Sequence, residues 1–493
     1  MRRSTTASAL LTLIVAIAMA ATACQQSSGQ VNVTNNTVSP RMTPLPQDIS
    51  VEAYFNHNPA NQYTEPYRQT VRLGDDLETI IVETIMAARS TVDVAVQELR
   101  SPKIAQALRD RHQAGVRVRV VVENTYARPW SSFTPEEVAN LSKREQERYR
   151  EALQLLDMDG DEQLSSREIN QRDALVILRT AGVPIIDDTA DGSRGSNLMH
   201  HKFVVVDNQQ VIVTSANFTT SDLHGDFSKP ASRGNANNLL RIDSQELATL
   251  FTQEMNLMWG DGPGNRLNSR FGIKKPFRPA RQVRLGNTRI TVQFSPVRRQ
   301  VSWQASGNGL IGKTLAMANQ SVNLALFVFS EQTLANILEQ RHQNGVQINA
   351  LIDPGFAYRY YSDGLDMLGV QLSNNCKFPL GNRPWQNPVT TVGVPRLLPG
   401  DLLHHKMAVV DKHVVITGSQ NWSTAANYGN DETIIVVESP LVAAHYQREF
   451  ERLFDRAILG VPPAIRRKIE KDQQACRNLR AESSTLGVMV NTS

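Results

Sequence analysis

Apolar positions recur in one order twice along the chain. Ser90-Thr91-Val92-Asp93-Val94-Ala95-Val96 reads as a strand, and Gln320-Ser321-Val322-Asn323-Leu324-Ala325-Leu326 matches it. Arg111-His112-Gln113-Ala114-Gly115-Val116 is the end of a helix running into a further strand, and Arg341-His342-Gln343-Asn344-Gly345-Val346 repeats it. Ala181-Gly182-Val183 and Leu368-Gly369-Val370 form another matched pair, as do Phe55-Asn56 and Phe294-Ser295-Pro296. Gly115 and Gly345 suit helix C-caps, and His112 and His342 read as structural. Two runs lack any alternation, Phe203 to Val206 and Met407 to Val410. Strands of that kind are buried on both faces. Each half therefore reads strand, helix, strand, helix, strand, then core strand. This predicts an α/β fold of two homologous halves, each a mostly parallel or mixed sheet flanked by helices.

Two insertions break the symmetry. The first spans about 130–181 and opens on Thr134-Pro135-Glu136-Glu137, a capped helix start. A charged helix to Leu156 and a second from about Ser166 to Thr180 flank an acidic loop. That loop resembles an EF-hand, with Asp157, Asp159, Asp161, Gln163 and Glu168 at the ligand positions. The resemblance implies a structural Ca2+ ion. Glu162 departs from it, since the sharp turn calls for Gly. The second insertion lies between Gly369 and His404, and its Pro- and Gly-rich stretch, Lys377 to Gly400, leads into the second core strand. It reads as a lid or substrate rim, where Trp385 either meets substrate or pins the loop.

The N-terminus follows a different pattern. Arg2 and Arg3 precede an apolar stretch, Ala9 to Ala21, too short to span a bilayer. Ala21-Thr22-Ala23-Cys24 resembles a bacterial lipobox, which would make Cys24 a lipidated N-terminus. The expected product is an exported lipoprotein, membrane-anchored and facing periplasm or cell surface. Ordinary cleavage near Ala23 is the alternative. Residues 24–47 are rich in Ser, Thr, Asn, Gln and Pro and read as a tether. The expected divisions are a leader at 1–23, that tether, a first half at 48–262, a connector at 263–287, a second half at 288–461 and a tail at 462–493. Export permits a disulfide between Cys376 and Cys476, or leaves both as thiols.

The formal net charge is only +4, yet every charged residue from Arg266 to Arg299 is basic. Such a block suits a polyanion, either nucleic acid or an anionic membrane surface; it also suits a solvated connector.

The candidate chemistry lies at the core strands. Met199-His200-His201-Lys202 runs to Asp207, and Leu403-His404-His405-Lys406 runs to Asp411. Both read H-x-K-x4-D, followed at equal distance by Ser215-Ala216-Asn217 and Ser419-Gln420-Asn421. Side chains two apart share a strand face, so each copy presents an imidazole beside an ammonium. His201 and His405 point to the opposite face and read as structural.

On these residues the chain resembles the phospholipase D superfamily. Thr214 departs from it, standing where the second copy has Gly418. The resemblance implies a pseudo-dimer of halves with one shared active site in a single monomeric chain. It also implies a catalytic set of His200, Lys202, Asp207, His404, Lys406, Asp411 and Glu432. As strand-end residues, Asp207 and Asp411 read rather as turn anchors. Ser215, Asn217, Asn235, Ser419, Asn421 and Asn430 would bind the substrate phosphate. One imidazole, His200 by analogy, attacks phosphorus to form a phosphohistidine. The other, His404, acts as acid and then as base, and no metal is needed. Asn237 stands where the first half should carry its acid, and Asp226 is the candidate replacement. The expected function is hydrolysis of glycerophospholipid to phosphatidic acid at a phospholipid membrane surface. An exported endonuclease with the same mechanism is the alternative, and a non-catalytic calcium-binding lipoprotein ranks last.

Overall fold

The apolar runs become strands. The computed structural model describes residues 42–490, with side chains to 478. The leader, Cys24 and the tether up to 41 lie outside the described residues. The first half builds a sheet from β1 (Val51–Phe55), β2 (Thr91–Val96), β3 (Arg117–Val122), β4 (Ile185–Asp187), β5 (Lys202–Val206), β6 (Gln210–Thr214) and β7 (Asn238–Asp243). Their order is β1-β7-β6-β5-β2-β3-β4. Only β2, β3 and β4 run parallel to one another; the other ladders are antiparallel, so the sheet is mixed.

The second half contributes β8 (Arg281–Leu285), β9 (Thr288–Ser295), β10 (Ser321–Leu326), β11 (Gln347–Ile352), β12 (Val392–Val394), β13 (Lys406–Val410), β14 (Val414–Gly418), β15 (Asn430–Glu438) and β16 (Ile458–Leu459). The order β8-β9-β15-β14-β13-β10-β11-β12-β16 repeats the first sheet from β9 to β12 and adds a strand at each edge. Every residue of β5 and β13 is buried. This is what the unbroken apolar runs require, since both faces of each strand are covered.

The halves share a core. The last helix of each half packs on the first strand of the other. Phe55 of β1 lies edge-on to Tyr446 of the helix Pro440–Phe454, 4.9 Å between centroids. Phe294 of β9 lies edge-on to Phe251 of the helix Gln245–Trp259, at 5.1 Å. Both contacts belong to one continuous apolar cluster, so the described residues form one compact unit.

The insertions differ in part from expectation. The helix expected over 166–180 is two, Ser166–Arg172 and Ala174–Thr180. Asp173 ends the first and caps the second by accepting from the Leu175 amide. Trp385 does not reach a substrate rim: it is 2% exposed and stacks on His342. It pins its loop instead, while Phe378 and Leu380 of the same loop stand exposed. Cys376 and Cys476 are joined, tying the insertion to the C-terminal helix Pro463–Val490.

Half of the basic block is spent on ion pairs. Lys275 is fully buried between Glu254 (2.6 Å) and Asp431 (2.8 Å), and Arg278 pairs with Glu254 at 2.9 Å. Lys274 pairs with Asp191, Arg266 with Asp261 and Arg289 with Glu438. Lys275 and Arg278 make part of the connector an internal strap, whereas Arg270, Arg281, Arg284, Arg298 and Arg299 make no ion pair among the described residues.

Candidate active site

β5 and β13 each begin at the lysine of an H-x-K pair, and the fold turns the two starts toward each other. The residues just before each histidine pair with the opposite half. Leu198-Met199 runs parallel to Asn430-Asp431 at the start of β15, and the His200 amide donates to the Asp431 carbonyl at 2.9 Å. Leu403 bridges to Ala236, and the His404 amide donates to the Ala236 carbonyl at 3.1 Å. A carboxylate at the end of each third strand grips the same segments. Glu123 accepts from the Met199 amide at 2.6 Å, and Asp353 from the Leu403 amide at 2.9 Å.

The imidazoles are held across the pseudo-two-fold axis. His200 Nδ1 donates to Glu432 Oε2 of the other half at 2.6 Å. His404 Nδ1 donates to Asn237 Oδ1 of the other half at 3.0 Å. Each ring therefore keeps Nε2 for chemistry. Lys202 Nζ donates to the His200 carbonyl at 3.0 Å, and Lys406 Nζ to the His404 carbonyl at 2.6 Å. Neither lysine has a carboxylate within ion-pairing distance among the described residues, and both are buried. Burial pulls the Lys202 ammonium down to about 8. Burial, then Lys202, holds Lys406 well below the usual lysine range. Burial pushes Glu432 up to about 7, against the pull of Lys202. Both imidazoles are held well below the usual histidine range by burial and then by the two lysines. So much unpaired positive charge at one buried point suits an anionic ligand.

The remaining motif residues divide. Asn217 and Asn421 keep Oδ1 buried with no partner among the described residues, equivalent orphans in the two halves. The hydroxyls of Ser215 and Ser419 are engaged within the protein. They donate to Asn237 Oδ1 (2.8 Å) and Glu432 Oε2 (2.7 Å), holding the groups that hold the histidines. Asn430 donates to Glu432 Oε1, and Asn235 binds Asp222 and the Leu402 amide, so both position other groups. Asp207 and Asp411, counted with the catalytic set, lie at the far ends of β5 and β13. Five residues at ~3.3 Å each put them about 16 Å from the lysines. Asp207 accepts from the amides of Arg89, Ser90 and Thr91, and Asp411 from those of Asn319, Gln320 and Ser321. They anchor turns. Gly418 has φ +128°, and a Cβ there would meet the Thr433 carbonyl at 2.2 Å. Thr214 avoids that conformation, its hydroxyl donating to the Asn238 carbonyl at 2.6 Å.

His201 and His405 face away from the site, bonded to Glu254 (3.4 Å) and Glu449 (2.9 Å). Asp226 does not replace the missing acid; it pairs with Lys229. The carboxylate beside His404 is Asp222, 3.5 Å from Nδ1. No motif marks Asp222, which the short helix Thr220–Leu223, just after Asn217, carries into place.

In the insert, the carboxylates of Asp157, Asp159 and Asp161 lie within 4.8 Å of one another. Glu162 adopts the left-handed φ of +64° that the turn needs, despite its side chain. Glu168 lies outside the converging group, its carboxylate accepting from the amides of Met158 and Ser165. Gln163 donates its amide to Asp161.

Fold and site together define a member of the phospholipase D superfamily. The family model described as "Cardiolipin synthase, PLD-like domain" matches residues 81–259 and 311–454, more than half of the chain, which belongs to that family. The human mitochondrial cardiolipin hydrolase is 31% identical over 144 residues, 29% of this chain and 49% of that protein. The Xenopus laevis protein of the same name is 32% identical over 138 residues, 28% of this chain and 56% of its own. The chain thus spans about half the length of the curated relatives it matches. The crystal structure of phosphatidylserine synthase from Haemophilus influenzae Rd KW20 aligns over 90% of this chain and 95% of its own, with TM-score 0.52 and 13% identity. That likeness is one of fold.

Proposed function

We propose that the chain is a phosphodiesterase of the phospholipase D type, cleaving glycerophospholipid to phosphatidic acid and the head-group alcohol. The observation that carries this reading is the crossed pair: two imidazoles and two unpaired buried ammoniums, each imidazole braced by the other half. In the first step His200 Nε2 bonds to phosphorus as the P–O bond to the alcohol breaks. His404 Nε2–H passes its proton to the departing oxygen. In the second step His404 takes a proton from water, whose oxygen attacks phosphorus and breaks the N–P bond. Lys202 and Lys406, with the amides of Asn217 and Asn421, hold the non-bridging oxygens.

A lipid substrate is supported by the second insertion. Phe378 stands beside Lys377 at an open cavity of about 550 Å³ lined with Tyr360, Tyr361 and Pro379, and Leu380 next to Pro379 is fully exposed. An apolar tip beside a cation suits a phospholipid surface. The joined cysteines support export to an oxidising compartment, and lipidation of Cys24 would place the enzyme beside its substrate. Among the described residues no helix is long and apolar enough to cross a membrane. The endonuclease reading keeps one observation: Arg270, Arg281, Arg284, Arg298 and Arg299 have no carboxylate partner among the described residues. For the insert we propose a structural calcium ion at Asp157, Asp159 and Asp161, since carboxylate oxygens are the donors calcium takes.

The test incubates the protein in EDTA with phosphatidylcholine/phosphatidylglycerol vesicles and, separately, with plasmid and single-stranded DNA. Phosphatidic acid release that His200→Ala abolishes is the expected result. Nicked DNA beside intact lipid would replace the lipase reading with the nuclease one.

A further inference from the structure

The two histidines are braced unequally. Glu432 touches His200 directly, whereas His404 meets an amide. The orientation of that amide follows from its surroundings. Asn237 Nδ2 faces three oxygens: the Asp222 carbonyl at 3.1 Å, Asp222 Oδ1 at 3.2 Å and the Asn235 carbonyl at 3.1 Å. Its Oδ1 receives the Ser215 hydroxyl at 2.8 Å. A flipped amide would set oxygen against three acceptors, so Oδ1 faces His404 and the ring carries hydrogen on Nδ1. Asp222 does most of this work. It is 3% exposed. Oδ1 also accepts from Asn235 Nδ2 at 2.7 Å, and Oδ2 from the Asn217 amide at 2.9 Å.

We propose that Asp222 is the positioning carboxylate of the His404 half-site, acting through Asn237 as Glu432 acts directly on His200. The inference rests on the phosphodiesterase reading and assigns its unequal roles. The groups around His404 are Lys406 and His405 on its own strand, Asp353 behind Lys406, Lys202, His200 and Glu432 from the facing half-site, and Asp222. Lys406 and Lys202 disfavour charge on this ring most among its neighbours, so an imidazolium there needs a counter-charge, and Asp222 at 3.5 Å supplies it. A direct carboxylate suits the ring that must carry a phosphoryl group on Nε2 and positive charge with it. A carboxylate behind an amide leaves the other ring less basic, readier to give its Nε2 proton to the leaving oxygen.

The test uses the full chain and two kinds of diester. Bis(p-nitrophenyl) phosphate expels a phenolate that needs no proton. Phosphatidylcholine vesicles, or DNA if that is what the wild type cleaves, expel an alkoxide that does. In Asp222→Asn the alkoxide reaction should fall by about 10²-fold or more, the usual worth of a general acid. The first-turnover burst of p-nitrophenolate, which precedes the step where His404 acts as base, should fall by less than about tenfold. Equal losses on both would overturn the proposal, because Asp222 would then serve the nucleophile or the fold alone. The double variant Asp222→Asn/Asn237→Asp moves the carboxylate into direct contact. It should recover at least about tenfold over Asp222→Asn, whereas Asn237→Asp alone crowds two carboxylates and should be poorer than the double. A folded double variant that recovers nothing would also overturn it. The ¹⁵N titration of His404 is independent of turnover. Its midpoint should fall in Asp222→Asn and return in the double, and an unmoved midpoint would count against Asp222. If the wild type cleaves neither probe, the phosphodiesterase reading fails while this titration still judges the positioning role.

Discussion

Lys202 sits at the mouth of β5 with no carboxylate to pair with and no solvent to hydrate it, so its ammonium titrates early. Glu432 titrates late for the matching reason. The proposed reaction needs Lys202 charged, Glu432 ionised and a proton on His404, which burial and the lysines disfavour until the anionic phosphate is bound. The rate should therefore be lost as pH falls through about 7, where Glu432 takes a proton, and lost again as pH rises through about 8, where Lys202 gives one up. The kcat/KM profile should be a narrow bell whose limbs belong to the coupled site. A profile flat to pH 10 would contradict this placement of Lys202. Asp207 and Asp411 make the opposite kind of prediction. Replacing either with Ala removes the acceptor of three backbone amides at a solvent-facing turn, a cost of about 1–2 kcal/mol. Thermal unfolding should come earlier in each variant, with kcat unchanged. A loss of kcat comparable to that of His200→Ala would return these residues to the catalytic set. At this scale the histidines and lysines are legible in the sequence, because a spacing of two on a strand fixes a shared face. Asp222 is not, because its place depends on how the short helix Thr220–Leu223 packs against the site.

Among elements, the second insertion is held at both ends of its function. Trp385 seals it to the core and the cysteines tie it to the C-terminal helix. The bridge closes a separation of 100 residues, for which chain entropy gives up to about 5 kcal/mol. Replacing both cysteines with Ser should lower the unfolding temperature by several degrees and raise proteolysis near Phe378. An unchanged midpoint would mean the packing of Ile465 and Ile469 suffices. The first insertion reaches the site region too. Arg148 of the helix Lys143–Leu156 pairs with Glu98, two residues beyond β2, and Glu151 accepts from the Phe227 amide at 2.6 Å. Millimolar calcium should raise the unfolding temperature, EDTA should reverse it, and Asp159→Asn should abolish the difference. An identical midpoint with and without calcium would refute the proposed ion. The helix starts here are legible, each marked by Thr134, Ser142 or Ser165 with a glutamate three residues on. The break at Asp173 and the inward turn of Trp385 are not, since both follow from tertiary packing.

Over the whole molecule, duplication sets the plan and exchange between the halves makes the site. The repeat is legible because matched strands and helix ends recur in one order, and the sheets keep that order strand for strand. The crossing is not, because a motif does not say which half supplies the acceptor for its histidine. Glu432 for His200 and Asn237 for His404 emerge only from the packing of Phe55 on Tyr446 and Phe294 on Phe251. Neither half is complete alone, so the central claim is one composite site with unlike histidines. The most direct measurement traps the covalent intermediate. His404→Ala is mixed with bis(p-nitrophenyl) phosphate, whose leaving group needs no acid, then quenched in alkali and digested for mass spectrometry. The account predicts a p-nitrophenyl phosphoryl adduct on the peptide carrying His200, persisting because no base activates water. An adduct on His404 in the His200→Ala variant, with none on His200 in its counterpart, would contradict it.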